Sequence, residues 1–312
     1  MSIKLGIVVP CFNEEQVLPE TARRLLSLLN SLEADGLATP GSSVYFVDDG
    51  STDRTWSLIE ALAGSDPRVH GIKLSRNRGH QNALLAGLFC AQGDALVSID
   101  ADLQDDVSVI RTMVERHLGG SEIVFGVRQS RSTDTRFKRG TAELFYKLLA
   151  ALGVDIVHNH ADYRLMGRRA LQALGTYSEV NLFLRGIVPL LGFPTAMVHY
   201  DRAERFAGES KYPLRKMLAL AADGITSFSI APLRLIALLG VIVSFFSISM
   251  VGWVLYGKLF LDTAIPGWAS SVIPIYFLGG VQLLSIGILG EYIAKIYLET
   301  KRRPRYTVEV MI

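Results

Sequence analysis

The chain has 312 residues, 49% of them apolar and 20% charged, with a net charge of +2 at pH 7. That length holds one or two domains, and so small a net charge leaves no electrostatic footprint for nucleic acid. The two cysteines, Cys11 and Cys90, lack metal-ligand spacing and read as reduced packing residues. Apolar residues are unevenly spread: 1–212 reads as a soluble α/β domain and the remainder as membrane-associated. No signal peptide precedes Lys4, which leads into a strand, so the soluble part is expected in the cytosol.

Strands are predicted at 5–9, 43–47, 69–74 and 95–99, and helices at 17–32, 55–63 and 81–91. Short strands alternating with helices argue for a mostly parallel sheet that binds ligands at its carboxyl edge. Beyond these come a strand at 122–127 and a basic loop with Arg128, Arg131, Arg136, Lys138 and Arg139. A helix at 141–152 follows, then a polar lead-in at 159–166, a helix at 168–174 and a strand at 197–200. Residues 202–212 form a basic loop around Gly208.

The central stretch is 97–106, where an apolar run stops at Asp100-Ala101-Asp102 and is followed by Gln104, Asp105 and Asp106. On an extended segment Asp100 and Asp102 point the same way. Two hard oxygen ligands there suit Mg²⁺ or Mn²⁺ holding a diphosphate. A lone Asp-x-Asp is more often a polar turn and helix cap. However, every βα junction offers polar groups to the same edge: Asn13 and Glu15, then Asp48 and Asp49, then Arg76, then Asp100 and Asp102. His80 and His160 lack zinc spacing and read as hydrogen-bonding loop residues.

The uncharged stretches 235–257 and 263–290 are each long enough to cross a bilayer. Arg215, Lys216 and Arg234 precede the pair, and Lys295, Lys301, Arg302, Arg303 and Arg305 lie at or after its end. Excess positive charge marks the cytoplasmic side, so both flanks are expected inside and the hairpin turn outside. Trp253, Tyr256 and Trp268 fall near the outer interface, where such rings prefer to sit. The expected organisation is a catalytic domain at 1–212, an interfacial segment at 213–231, two membrane helices within 232–298 and a basic cytosolic tail at 299–312. Residues 306–310 alternate like a strand, which needs a sheet edge, its own or a neighbour's, to be stable.

The runs Val8-Val9-Pro10-Cys11-Phe12-Asn13-Glu14-Glu15, Val47-Asp48-Asp49-Gly50-Ser51-Thr52-Asp53 and Asp100-Ala101-Asp102 resemble the inverting family-two glycosyltransferases of the GT-A fold. Ser75-Arg76-Asn77-Arg78-Gly79-His80-Gln81, Asp162-Tyr163-Arg164-Leu165-Met166 and Gly208-Glu209-Ser210-Lys211-Tyr212 are similar to polyprenyl-phosphate glycosyltransferases, among them bactoprenol glucosyltransferases with two C-terminal membrane helices. Asp106 departs from the pattern, since many relatives carry Pro there.

The resemblance implies a GT-A α/β domain that moves a hexose, glucose first, from a UDP-sugar to polyprenyl phosphate at the bacterial inner membrane. Aminoarabinose-type transferases and dolichol-phosphate mannose synthases are the alternatives within the family. It implies a nucleotide-sugar site of Pro10, Phe12, Asn13, Glu15, Asp48, Arg76, Asp100 and Ala101, with Asp48 on the uracil and Mg²⁺ or Mn²⁺ on Asp102. The catalytic set is Asp102, Asp162 and Arg128, with Arg131, Arg205 and Lys211 toward the acceptor phosphate. Asp162 is read as orienting Arg164 or the acceptor, with a base or a helix cap as alternatives. A homo-oligomer, a tetramer, is implied as well. A processive synthase is disfavoured because the Gln-x-x-Arg-Trp motif is missing, and a scaffold without catalysis because Asp48, Asp100 and Asp102 are intact.

Overall fold

The structure is a computed structural model that describes residues 2–128, 160–179, 184–201, 231–260 and 268–312. The helix expected at 141–152, the basic residues Arg131, Arg136, Lys138, Arg139, Arg205 and Lys211, and most of the interfacial segment lie outside those residues.

Eight strands form one sheet in the order β7-β5-β6-β4-β1-β2-β3-β8. Strands β1 (Leu5–Cys11), β2 (Ser43–Asp48), β3 (Val69–Leu74) and β4 (Ala95–Ser98) run parallel. They are joined through α1 (Leu18–Ala34), α2 (Thr55–Ser65) and α3 (His80–Cys90). Every residue of β1, β2 and β4 is buried, as expected for a sheet covered on both faces. Alternate residues serve opposite faces. Ile7, Val9, Phe46 and Val97 pack with Leu25 and Leu29 of α1 and with Ile110 and Met113 of α4 (Val109–Leu118). Val8, Tyr45, Val47 and Leu96 pack with Leu84, Leu85 and Leu88 of α3. A Cβ at Gly87 would lie 2.3 Å from Val8 Cγ1, so α3 sits on β1 at a distance that only glycine permits.

The second half is mixed. Strand β5 (Ile123–Arg128) pairs parallel with β7 (Thr195–Tyr200) and antiparallel with β6 (His160–Gly167), which also runs antiparallel to β4. Helices α5 (Arg168–Gly175) and α6 (Leu184–Leu190) lie on the α3 side. Strand β6 corrects two expectations. Residues 160–166 are not a loop leading into a helix, and Asp162 is not a helix cap. Tyr163 and Leu165 enter one core and Met166 the other. By the same alternation Asp162 and Arg164 share the Met166 face. Two charged residues on a buried strand hid its strand character.

Two long helices follow, α7 (Ala231–Phe260) and α8 (Trp268–Lys301), of 30 and 34 residues. At 1.5 Å per residue they are about 45 and about 51 Å long. Phe277–Lys301 is long and apolar enough to cross a membrane, and in α7 the apolar stretch among the described residues is the shorter Pro232–Val243. Leu235, Phe245, Leu283 and Ile296 point outward from the helices.

The tail returns to the sheet. Strand β8 (Val308–Met311) pairs antiparallel with β3, with Ile72 opposite Met311 and Lys73 opposite Val310. Ile312 exchanges two backbone hydrogen bonds with Gly71, at 2.9 and 3.1 Å. A Cβ at Gly71 would lie 2.9 Å from Ile312 Cγ1, so the glycine makes room for the last side chain. Lys73 and Glu309 pair across the two strands at 3.5 Å, and Arg305 donates to the carbonyl of Tyr177.

Candidate active site

A cavity of about 470 Å³ opens where the carboxyl ends of the parallel strands meet their turns. Pro10, Phe12, Glu14, Asp49, His80, Ala101, Asp100 and Asp102 line it. Phe12 is 46% exposed, an aromatic face left open at the cavity edge.

The predicted residues divide into those that line the cavity and those that hold its loops. Asn13 takes φ +56°, a conformation asparagine tolerates. Its side chain accepts from the Thr52 amide at 2.9 Å, and its own amide donates to Ser51 Oγ at 3.0 Å. Glu15 accepts from the amide and the guanidinium of Arg54. Both residues therefore tie the first turn to the second and lie outside the cavity lining. Arg76 is exposed on the third turn, also outside it.

Asp48 is completely buried. Its Oδ1 accepts from the Ser51 amide at 3.2 Å, while its Oδ2 has no hydrogen-bond partner. Asp49 reaches the cavity and accepts from the amides of Arg78 and Gly79 at 2.7 and 2.8 Å, fixing the third turn. Burial pushes both carboxyls above the usual carboxylate range.

Asp100 and Asp102 both line the cavity, but not on an extended strand as expected: β4 ends at Ser98 and residues 101–102 form a turn. Burial, reinforced by the surrounding carboxylates Asp162, Asp105 and Asp102, lifts Asp100 to about 6, against the pull of His80. His80 Nε2 stands 3.4 Å from Asp100 Oδ1 and 3.7 Å from Asp162 Oδ2, so this histidine joins the two acids.

Asp162 comes from β6, far along the chain. Arg164 donates to its Oδ1 at 2.6 Å and Arg185, on α6, to its Oδ2 at 3.0 Å. Burial disfavours its charge, but Arg185 and Arg164 outweigh that and hold the carboxyl well below the usual range. A carboxylate so stabilised is a weak base. Arg128 ends β5 and forks onto the buried Asp105, 3.0 Å from Nη2 to Oδ1, where the Tyr200 hydroxyl also donates at 2.6 Å. Arg185, Asp105 and Tyr200 were missing from the sequence-derived site. Asp105 alone carried a signal, its place three residues beyond Asp102.

Among the described residues no three side chains form a metal cage. Mg²⁺ and similar ions are commonly held by one or two carboxylates together with substrate phosphates, with no such cage. Asp100 and Asp102, two residues apart and both lining the cavity, offer the carboxylates for that requirement.

The description "Glycosyl transferase family 2" matches residues 6–175. The chain is 53% identical to the uncharacterized glycosyltransferase YkoT of Bacillus subtilis (strain 168), over 98% of this chain and 91% of that one. It is 42% identical to the prophage bactoprenol glucosyl transferase homolog of Escherichia coli (strain K12), over 98% and 99%. The bactoprenol glucosyl transferase of Shigella phage SfX matches at the same identity and coverage. With an acid-lined cavity at the carboxyl edge of an α/β sheet and relatives aligned along nearly its whole length, this chain is a GT-A-fold glycosyltransferase and belongs to glycosyl transferase family 2.

Proposed function

We propose that this enzyme transfers glucose from UDP-glucose to a polyprenyl phosphate at the cytosolic face of the bacterial inner membrane, with inversion at the anomeric carbon. The observation that carries the reading is the 42% identity to bactoprenol glucosyl transferases, which runs through the cavity and the long apolar helices alike. In this reading α7 and α8 are a membrane hairpin, both termini are cytosolic and the enzyme is a homotetramer. A long isoprenoid is costly to withdraw from the bilayer, at roughly 0.8 kcal/mol per CH₂, so the catalytic domain must come to the lipid.

The buried Asp48 Oδ2, which lacks a partner, is the acceptor assigned to the uracil N–H, and Phe12 flanks the base. Asp102, with Asp100 beside it, would hold Mg²⁺ or Mn²⁺, which when bound neutralises charge on the diphosphate leaving group. The acceptor is a phosphate monoester with a second pKa near 6, largely a dianion near neutral pH. It needs placement and charge balance rather than a strong base. Asp162 fits that need: it anchors the buried Arg164 and the partly exposed Arg185 and stands 3.7 Å from His80, which lines the cavity, and Arg185 is assigned to the incoming phosphate. Arg131, Arg205 and Lys211 are assigned to the same phosphate.

The test is a panel of nucleotide sugars offered to the purified enzyme with undecaprenyl phosphate in detergent, read by product mass and anomeric configuration. The reading expects a β-linked hexosyl lipid phosphate from UDP-glucose. An α-linked product overturns inversion, and turnover only with another sugar nucleotide overturns the donor.

A further inference from the structure

The turn that carries Asp102 is pinned from three directions. At its start, Thr21 of α1 donates from Oγ1 to the carbonyl of Ala101 at 2.8 Å. At its end, the Tyr163 hydroxyl of β6 donates to the carbonyl of Asp106 at 2.9 Å. Between them, the buried Asp105 carboxylate receives the Arg128 guanidinium of β5, at 3.0 Å to Oδ1 and 3.3 Å to Oδ2, and the Tyr200 hydroxyl of β7 at 2.6 Å. The rings of Tyr163 and Tyr200 meet edge-on at 5.4 Å. Ala101, Leu103, Gln104 and Asp105 are all buried, while Asp102 is half-buried and faces the cavity.

Leu103 takes φ +56°, immediately after Asp102. A branched side chain gains nothing locally from that conformation, which persists only where the surroundings over-determine it. A charge-assisted pair on a buried carboxylate, reinforced by a short hydroxyl hydrogen bond, provides such a constraint. Partners of this kind, one step removed from a ligating group, set its orientation.

We propose that Asp105, gripped by Arg128 and Tyr200, is a positioning clamp that fixes the Asp102 carboxylate for a divalent cation and the donor diphosphate. The proposal rests on the donor-site reading above and deepens it. It gives Arg128 a different task from phosphate contact: its planar fork is spent on Asp105, so strands β5 and β7 set the geometry of a turn that follows β4.

Calorimetry of UDP binding to the full-length enzyme in detergent, with MnCl₂ or with EDTA, tests the clamp. In Tyr200→Phe the Mn²⁺-dependent gain in UDP affinity should fall about tenfold or more, in line with other losses of outer-shell partners. Raised Mn²⁺ should restore it, with UDP affinity in EDTA unchanged. Arg128→Lys keeps a cation that could still meet a phosphate but loses the fork, and should show the same loss. It decides the matter if Tyr200→Phe fails to fold. A wild-type Mn²⁺ gain retained in the folded variant overturns the clamp, and so does an equal loss with and without Mn²⁺. A wild-type enzyme whose UDP binding ignores Mn²⁺ overturns the metal assignment, and the clamp with it.

Discussion

The two halves of the sheet build the site by different means. In the first half, β1 to β4 each deliver polar groups on the turn that directly follows the strand, and those turns tie to one another: Asn13 to Thr52, Glu15 to Arg54, Asp49 to Arg78 and Gly79. In the second half, side chains on strands and on α6 reach across the fold. Asp162 meets Arg185, Arg128 meets Asp105, and Tyr200 meets an acid 95 residues earlier. The first half thus holds its site by ties between neighbouring turns, whereas the second half holds its charges by ion pairs between segments distant in the chain. Damage to the first, or to the Asp105 clamp on the Asp102 turn, should change donor binding, and damage at Asp162 should change turnover and stability together.

The largest effect is expected from Asp102→Ala. Metal-dependent UDP-sugar binding should vanish and turnover should fall on the order of a thousandfold, the scale for losing one electrostatic contact to a leaving group. Circular dichroism should show the fold intact. Retained metal-dependent binding in calorimetry would remove Asp102 from the metal site.

Asp162→Asn comes next and should separate the halves. Turnover should drop roughly a hundredfold with UDP-sugar affinity near wild type, because placement of the acceptor is lost rather than the donor. Stability should fall by about 3 kcal/mol, since Arg164 is left buried without its counter-charge. The pH dependence has a definite sign. The Asp162 carboxyl is lowered on folding, so its contribution is complete above the unfolded value of about 3.9 and is lost as pH falls through the lower folded value. The acid limb of wild-type unfolding should therefore be steeper than that of Asp162→Asn. Identical limbs and unchanged turnover would leave Asp162 without either role.

Deletion after Pro304 should cost about 1–3 kcal/mol by exposing the β3 edge and removing several backbone hydrogen bonds. The check is a thermal shift in detergent with mass measured alongside. An unchanged midpoint would mean that the tail contributes nothing to the fold.

The smallest effect is expected from Asn13→Ala. The loss of one loop tie should cost about 1 kcal/mol and raise the UDP-sugar KM a few-fold, with turnover unchanged. A large fall in turnover would place Asn13 in contact with substrate.

The same contrast explains what could be read in advance. Strands β1 to β4 are short apolar runs ended by turn residues, and helices α1 to α3 have boundaries within a few residues of those expected. The site residues in that half sit beside their strands in sequence, so Phe12, Asp49, Asp100 and Asp102 were legible. Strand β6 was not, because Asp162 and Arg164 look like surface charges until their mutual pairing is known. Helix α4 was hidden by the acidic turn before it, and α6 is short and carries Pro189. Arg185 had no local signal at all: its function rests on an acid 23 residues earlier that only the fold brings near.

The return of β8 to the sheet has a consequence for how the protein is made. Strand β8 is synthesised after both long helices, yet its partner β3 is synthesised before either. A sheet cannot straddle a bilayer, so whatever path the chain takes through α7 and α8, it must cross an even number of times. Parity alone therefore puts Ile312 in the same compartment as the catalytic cavity. It also fixes the order of completion. The β3 edge stays open on the ribosome until β8 emerges, after both long helices. A chain halted after α8 would carry an unpaired strand edge, the kind of edge that pairs with the wrong neighbour.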